Sequence, residues 1–202
     1  MSDQPDTAVA EEVDPLVEYA EGITQRLGAE GFSVEFNTVR VFVDRHKWVE
    51  TINDARKELP FFSWLSAIDW SKDTEVGEGV ADPEDLVERF EVMCRLSSVT
   101  NADGAIFFAT VPKDDATIGS LTATIGGAAW HEREAHEMFG IMFEGNDNLV
   151  PLYLPDSFIG NPLLKSFPLI SKLSFNLCIS SLIICLGGFV TSILLVLITK
   201  NK

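Results

Sequence analysis

The densest chemistry in the chain is the stretch WHEREAHEMFGIMFEG (130–145). On a helix, Glu132–His136 and Arg133–Glu137 are i,i+4 pairs, and Glu134 shares a face with Glu137 at i,i+3. An arginine held among carboxylates forms forked, bidentate hydrogen bonds that lysine cannot match. A solvated charged face is the plain alternative. The apolar residues Met138, Phe139, Ile141, Met142 and Phe143 that follow make it less comfortable. His131 and His136 invite a metal reading, but a zinc helix wants histidines at i,i+4 with a glutamate between. Residues five apart diverge by about 140° around the axis. No metal site is expected.

Other chemistries fail on residue supply. An iron–sulfur cluster needs about four converging thiolates or histidines. Here Cys94, Cys178 and Cys185 lie far apart, and two of them fall in an apolar tail. They are also too few for a disulfide framework. Gly126-Gly127 and Gly187-Gly188 lack the strand-then-helix setting that cradles a dinucleotide pyrophosphate. Three histidines offer no evident Ser–His–Asp or Cys–His pairing. The formal charge of −16 argues against nucleic acid, whose partners need a basic footprint.

The elements that must position the charged stretch read as follows. Residues 1–12 form an acidic, disordered lead without a secretory signal. Asp14-Pro15 is a good helix start, followed by Leu16, Tyr19, Ala20, Ile23 and Leu27, with Gly28 or Gly31 as the stop. Val39–Val43 favours strand. Trp48, Ile52, Ala55 and Leu59 mark a second helix ended by Pro60. Residues 61–70 suggest a core-lining turn and short strand, and 71–87 carry loop chemistry. Phe90, Val92, Cys94 and Leu96 alternate as a strand, which pairs through the turn at 100–104 with a strand at 104–111. Ile118, Leu121 and Ile125 suggest a short helix, and Ala128–Phe139 a longer one. This order predicts an α+β domain over residues 13–145, with helices packed on a small, mostly antiparallel sheet.

Prolines at 151, 155, 162 and 168 predict an extended arm over residues 146–170 that lies along a partner rather than burying itself. Residues 171–202 form an atypical hydrophobic tail. Positions 177–198 are 22 uncharged residues, 14 of them Leu, Ile, Phe or Val, long enough for a transmembrane helix. The composition breaks here as well, with 15 alanines in residues 1–135 and none afterwards. A native anchor and a frameshifted terminus are both open readings.

The string Glu132-Arg133-Glu134, two residues, Glu137, then Met138-Phe139-Gly140-Ile141 resembles the signature of the thirty-kilodalton subunit family of respiratory complex I, the NADH-quinone oxidoreductase, known in bacteria as its C subunit. SAIDW (66–70), RFEVMCRLSS (89–98), VPKDDATIGSLT (111–122), YLPDSFIGNPL (153–163) and KSFPL (165–169) follow in the family's order. The likeness covers roughly residues 13–169. The chain departs from it at Asn146, where a basic residue is usual, at Val150, where Arg or Pro is common, and at Leu164, where Arg is usual.

The resemblance implies a non-catalytic subunit in the hydrophilic arm of a proton-translocating NADH:quinone oxidoreductase, on the cytoplasmic side of the cell membrane. That complex uses NADH, FMN, iron–sulfur clusters and quinone, none of them held by this chain. The implied partner is the quinone-site D subunit with its hydrophilic-arm neighbours. The implied partner-facing residues are Glu132, Arg133, Glu134, Glu137, Phe139 and Gly140, continuing through Leu154, Pro155, Asp156, Gly160, Pro162 and Lys165. The same module in a coenzyme F420 or membrane hydrogenase complex is the main alternative. A membrane-anchored adaptor is the other.

Overall fold

The structure, a computed structural model, describes residues 14–71, 87–101 and 103–167. The acidic lead, most of the 71–87 loop, the end of the arm and the candidate membrane segment 177–198 lie outside the described residues. Among the described residues no helix is long and apolar enough to cross a membrane.

Helix α1 (Pro15–Leu27) starts where the Asp14 carboxylate accepts the Leu16 N–H at 2.9 Å, with Pro15 in the first turn. It stops at Gly28, whose φ of 60° is the left-handed conformation that glycine adopts without strain. Its Ala20, Ile23 and Thr24 recur at helical spacing and are buried. Strands β1 (Gly31–Glu35) and β2 (Thr38–Val43) form a hairpin around Phe36-Asn37, both at positive φ. A short 3-10 turn, Arg45–Lys47, leads into helix α2 (Trp48–Ala55). Then come β3 (Phe61–Trp70), β4 (Arg89–Ser97), β5 (Gly104–Pro112) and β6 (Thr117–Gly119). Helix α3 (Ala128–Phe139) and β7 (Met142–Glu144) complete the order.

The main sheet runs β1-β2-β5-β4-β3, antiparallel throughout except for the β2–β5 pair. That one parallel pairing demands a long crossover, which α2, β3 and β4 supply. Val39, Val41, Phe107, Ala109, Val92, Cys94, Leu65 and Ala67 alternate inward on their strands and are buried. The same core cluster takes Ile23 from α1, Trp48 and Ile52 from α2, and Ala135 and Phe139 from α3.

The α+β reading and the helix at Ala128–Phe139 agree with the structure. Helix α2 ends at Ala55 rather than at Pro60, and three further details differ. Residues 61–70 form a full ten-residue strand, and β1 and β7 are additional strands. The short helix expected from Ile118, Leu121 and Ile125 is absent. Ile118 instead lies in β6, which pairs in parallel with β7, and Leu121 opens a turn. Gly119 explains the choice: a Cβ there would lie 2.5 Å from Val49 Cγ2, so this backbone packs directly against α2.

Candidate functional site

Helix α3 gathers the chemistry, and each of its charged side chains goes a separate way. Glu132 is fully buried. Its Oε2 accepts from Ser120 Oγ at 2.8 Å and Asn146 Nδ2 at 2.9 Å, and its Oε1 accepts from the Leu121 N–H at 2.7 Å. It ties the turn after β6 to the start of the arm. Asn146 thus supplies a donor to this buried carboxyl group.

Glu137 holds the arm itself. Its carboxylate accepts the backbone N–H groups of Leu152, Tyr153 and Leu154 at 3.1, 2.9 and 2.8 Å. One turn earlier Arg133 donates from Nε to the Val150 carbonyl at 3.0 Å and from Nη2 to the Pro151 carbonyl at 2.9 Å. Its guanidinium also lies over the Trp130 ring, 5.3 Å from the centroid. The arginine fork thus engages main-chain carbonyls rather than the carboxylates expected from the sequence.

The arm returns the contact at the end of α3, where the last helical carbonyls lack intrahelical donors. Asn161 Nδ2 donates to the Glu137 carbonyl at 2.9 Å, and the Leu163 N–H donates to the Met138 carbonyl at 3.1 Å. Gly140 caps the helix at φ 80°, and a Cβ there would sit 3.2 Å from Asn161 Oδ1. Farther along, the Lys165 N–H donates to Asp69 Oδ2 at 2.9 Å. Asp69 is nearly inaccessible on the inner face of β3, and it also meets Lys113 Nζ at 2.6 Å and Ser71 Oγ at 2.6 Å.

Residues 146–167 contain no helix or strand. The arm lies along this same chain on one side, a difference from the expectation that it could not bury itself. Main-chain groups in an extended segment can be satisfied by side chains just as by a partner.

Of the residues expected to face a partner, Glu132 and Phe139 are enclosed by this chain and offer no surface. Both lie in the interior: Glu132 is closed off by its three donors, and the Phe139 ring packs edge-on against Phe90. Arg133, Glu137 and Gly140 are half-buried against the arm, and Glu134 is half-buried with no hydrogen bond or ion pair among the described residues. Leu154 and Pro162 are half-buried in the arm, whereas Pro155, Asp156 and Gly160 are exposed. Lys165 is exposed, with its ammonium 5.7 Å from the Trp70 ring centroid.

Two further residues that fix the arm, Asp69 and Asn161, do not stand out in the sequence as site residues. Asp69 had a signal, since it follows Leu65 and Ala67 at period two on the face that turns inward. Asn161 had none.

Burial opposes charge on Glu137, yet the amides of Tyr153, Leu154 and Leu152, with Arg133, outweigh it and hold the carboxyl below its ordinary value. At Asp69 burial again opposes charge. Lys113, Ser71 and the Lys165 amide overcome it and lower the pKa. A carboxyl whose folded pKa is depressed stabilises the fold above its unfolded value and loses that contribution as pH falls through the folded one. The arm is therefore expected to stay docked at neutral pH and to loosen below about pH 4. Tryptophan fluorescence should report this through Trp70 beside Lys165, as should amide exchange at residues 150–165.

No reactive constellation accompanies these contacts among the described residues. His136 Nδ1 lies 2.9 Å from the Ile141 carbonyl, and the His131 ring packs edge-on to Phe62. Among the described residues no group of three or more His, Cys, Asp or Glu is placed to hold a metal ion. Cys94 is buried, and its burial pushes the thiol pKa far up, away from nucleophilic use. A cleft of about 270 Å³ lies between the 3-10 turn and β6, lined by Arg45, His46, Asp115 and Glu144. Its arginine is already engaged by Asp115 at 2.6 Å.

The profile of the family described as the respiratory-chain NADH dehydrogenase 30 kDa subunit matches residues 41–172. The chain belongs to this family. The C subunit of the NADH-quinone oxidoreductase of Citrifermentans bemidjiense is 35% identical over 133 residues, covering 65% of this chain and 74% of that one. The NADH-quinone oxidoreductase subunit 5 of Thermus thermophilus is 30% identical over 158 residues, covering 74% and 72%. In fold, the chain is similar to one from the structure of the membrane-bound sulfane sulfur reductase, an archaeal respiratory membrane complex. The TM-score there is 0.65 at 18% identity, over 81% of this chain and 91% of that one. Within the 30 kDa family frame, the matched residues include all of α3 and the whole described arm.

Proposed function

We propose that this chain is a structural and assembly subunit of a proton-translocating NADH:quinone oxidoreductase, peripheral on the cytoplasmic side of the membrane. In this reading it packs on the D subunit that holds the quinone site, and it carries no redox centre. The observation that carries it is how α3 treats the arm. Glu137, Arg133 and Asn161 fix the backbone of residues 150–163 to the helix. Large apolar side chains stay outside: Val150, Tyr153, Ile159 and Leu163 are 51%, 64%, 83% and 54% exposed. A segment held rigid on one side and apolar on the other suits a preorganised partner contact, because less ordering entropy remains to be lost on binding.

Electron transfer belongs to other subunits in this proposal. The purified full-length chain is expected to be colourless, to contain no stoichiometric iron or flavin, and to leave NADH unoxidised. Absorption spectra, metal analysis and an NADH–ferricyanide assay check this. A stoichiometric visible chromophore in the isolated chain would overturn the reading.

A further inference from the structure

The three helices bury into one face of the main sheet, and the opposite face is built as though it too were covered. Beside the polar Ser66, Glu91 and Thr110, its outward positions hold Phe42 on β2, Ile106 and Phe108 on β5, Met93 on β4, and Trp64 and Ile68 on β3. None of these six apolar side chains belongs to the core cluster or packs against it, although Phe108 is only 6% exposed and the other five are partly buried. A sheet with one solvated face alternates apolar with polar residues, whereas strands covered on both faces read as near-continuous apolar runs. AIFFA (105–109) is of the second kind, whereas β4 alternates and sets Glu91, Met93, Arg95 and Ser97 on this face.

The charges on this face point to its occupant, and among them Glu91 is already taken by Trp70 Nε1 at 2.8 Å and Arg89 Nη2 at 3.3 Å. Arg40 is paired with Glu35 at 2.8 Å and stacks over Phe108, 4.6 Å from the ring centroid. Arg95 is different. It lies on β4 between Ile106 and Trp64, partly buried, with its guanidinium over the bare backbone of Gly104. Among the described residues it has no hydrogen bond or ion pair, in a chain of net charge −16. A cation half-sunk in an apolar surface is stabilised by a carboxylate brought to it.

We infer that this face docks an amphipathic helix of a neighbouring protein, which sets an Asp or Glu against Arg95. A helix about 10 Å across covers two to three strands spaced about 4.8 Å apart, which matches the width from β5 to β3. A second copy of this chain fits poorly, since it would bring arginine towards arginine and double the acidic charge. The inference rests on the assembly reading only in that it needs a neighbour.

The test places a photo-reactive benzoylphenylalanine at Ile106 in the tagged full-length chain, in cells, with a second probe at Ile159 on the arm. The expected result is an adduct from position 106 with another polypeptide. The mapped peptide should show apolar residues at i, i+3 and i+4 and an acid within a turn of them. Arg95→Glu should lower this adduct about tenfold. Arg95→Lys should retain most of it, and the Ile159 adduct should persist in both, which shows that fold and assembly survive. Adducts from 106 confined to this chain, formed with a second copy or absent, while those from Ile159 persist, would overturn the inference alone. Loss of both adducts in the unmutated chain, with migration as a free monomer, would overturn the assembly reading as well.

Discussion

Replacing Glu132 with alanine is expected to lower the unfolding free energy of the full-length chain by about 3–5 kcal/mol, the largest loss of any single change at this site. Its carboxyl group is the acceptor for the Leu121 N–H, the Ser120 hydroxyl and the Asn146 amide in a space closed to solvent. The Leu121 N–H is fixed by its backbone and cannot turn elsewhere, and an unanswered buried donor costs about 1–3 kcal/mol. The side chain's removal leaves a cavity as well. At about 2–4 °C per kcal/mol for a chain of this size, the midpoint should fall by roughly 6–20 °C. Glu132→Gln should lie between, because its NH2 group meets a donor where an acceptor was needed. Urea and thermal unfolding in a mild non-ionic detergent measure both. A loss under about 1 kcal/mol for the alanine variant would show that the three donors find other acceptors, contrary to this account.

Glu137→Ala is expected to act on the arm rather than on the core. Three consecutive amides lose their charged acceptor. Hydrogen bonds to ionised groups contribute about 1.5–3 kcal/mol each, and partial solvent access lowers their sum. A local loss of about 2–3 kcal/mol corresponds to roughly 30- to 150-fold faster exchange at Leu152, Tyr153 and Leu154. The core's unfolding midpoint should scarcely move. In cells the amount of assembled complex should fall while turnover per assembled complex stays normal. Arg133→Ala should push the same way more weakly, since it removes two bonds to neutral carbonyls. Normal assembly with turnover abolished in either variant would contradict a structural role for the helix–arm contact.

Much of this architecture was legible because local signals agreed. Asp14-Pro15 opened α1 and Gly28 closed it as their capping chemistry predicts, and the alternation from Phe90 to Leu96 marked β4. Where local signals were weak, tertiary contacts decided. GFSVE (31–35) is short and begins with glycine, yet it pairs fully with β2. The spacing of Ile118, Leu121 and Ile125 mimics a helix, but Gly119 pressed against Val49 and the pairing with β7 favour a strand.

The site divided along a similar line. That the charged residues of 132–137 matter was suggested by the resemblance, whereas spacing alone left a solvated face open. Their destinations were not legible, because Glu137 and Arg133 bond to main-chain groups of residues 150–154, and every residue carries those groups. Burial of Glu132 was likewise hidden, since the enclosing residues Ser120 and Asn146 come from segments 12 and 14 residues away. The open sheet face left a trace in the apolar run 105–109 of β5, which only the register of β3, β4 and β5 converts into a surface.

The most direct test of the central claim is native purification through a tag on the full-length chain, with identification of every polypeptide that accompanies it and assay of the preparation. The expected result is a large assembly containing flavin-bearing NADH-oxidising subunits and a D-type quinone-site subunit, active in NADH:quinone reduction. Recovery of this chain as a free monomer, or in an assembly that oxidises hydrogen or a deazaflavin and not NADH, would contradict it.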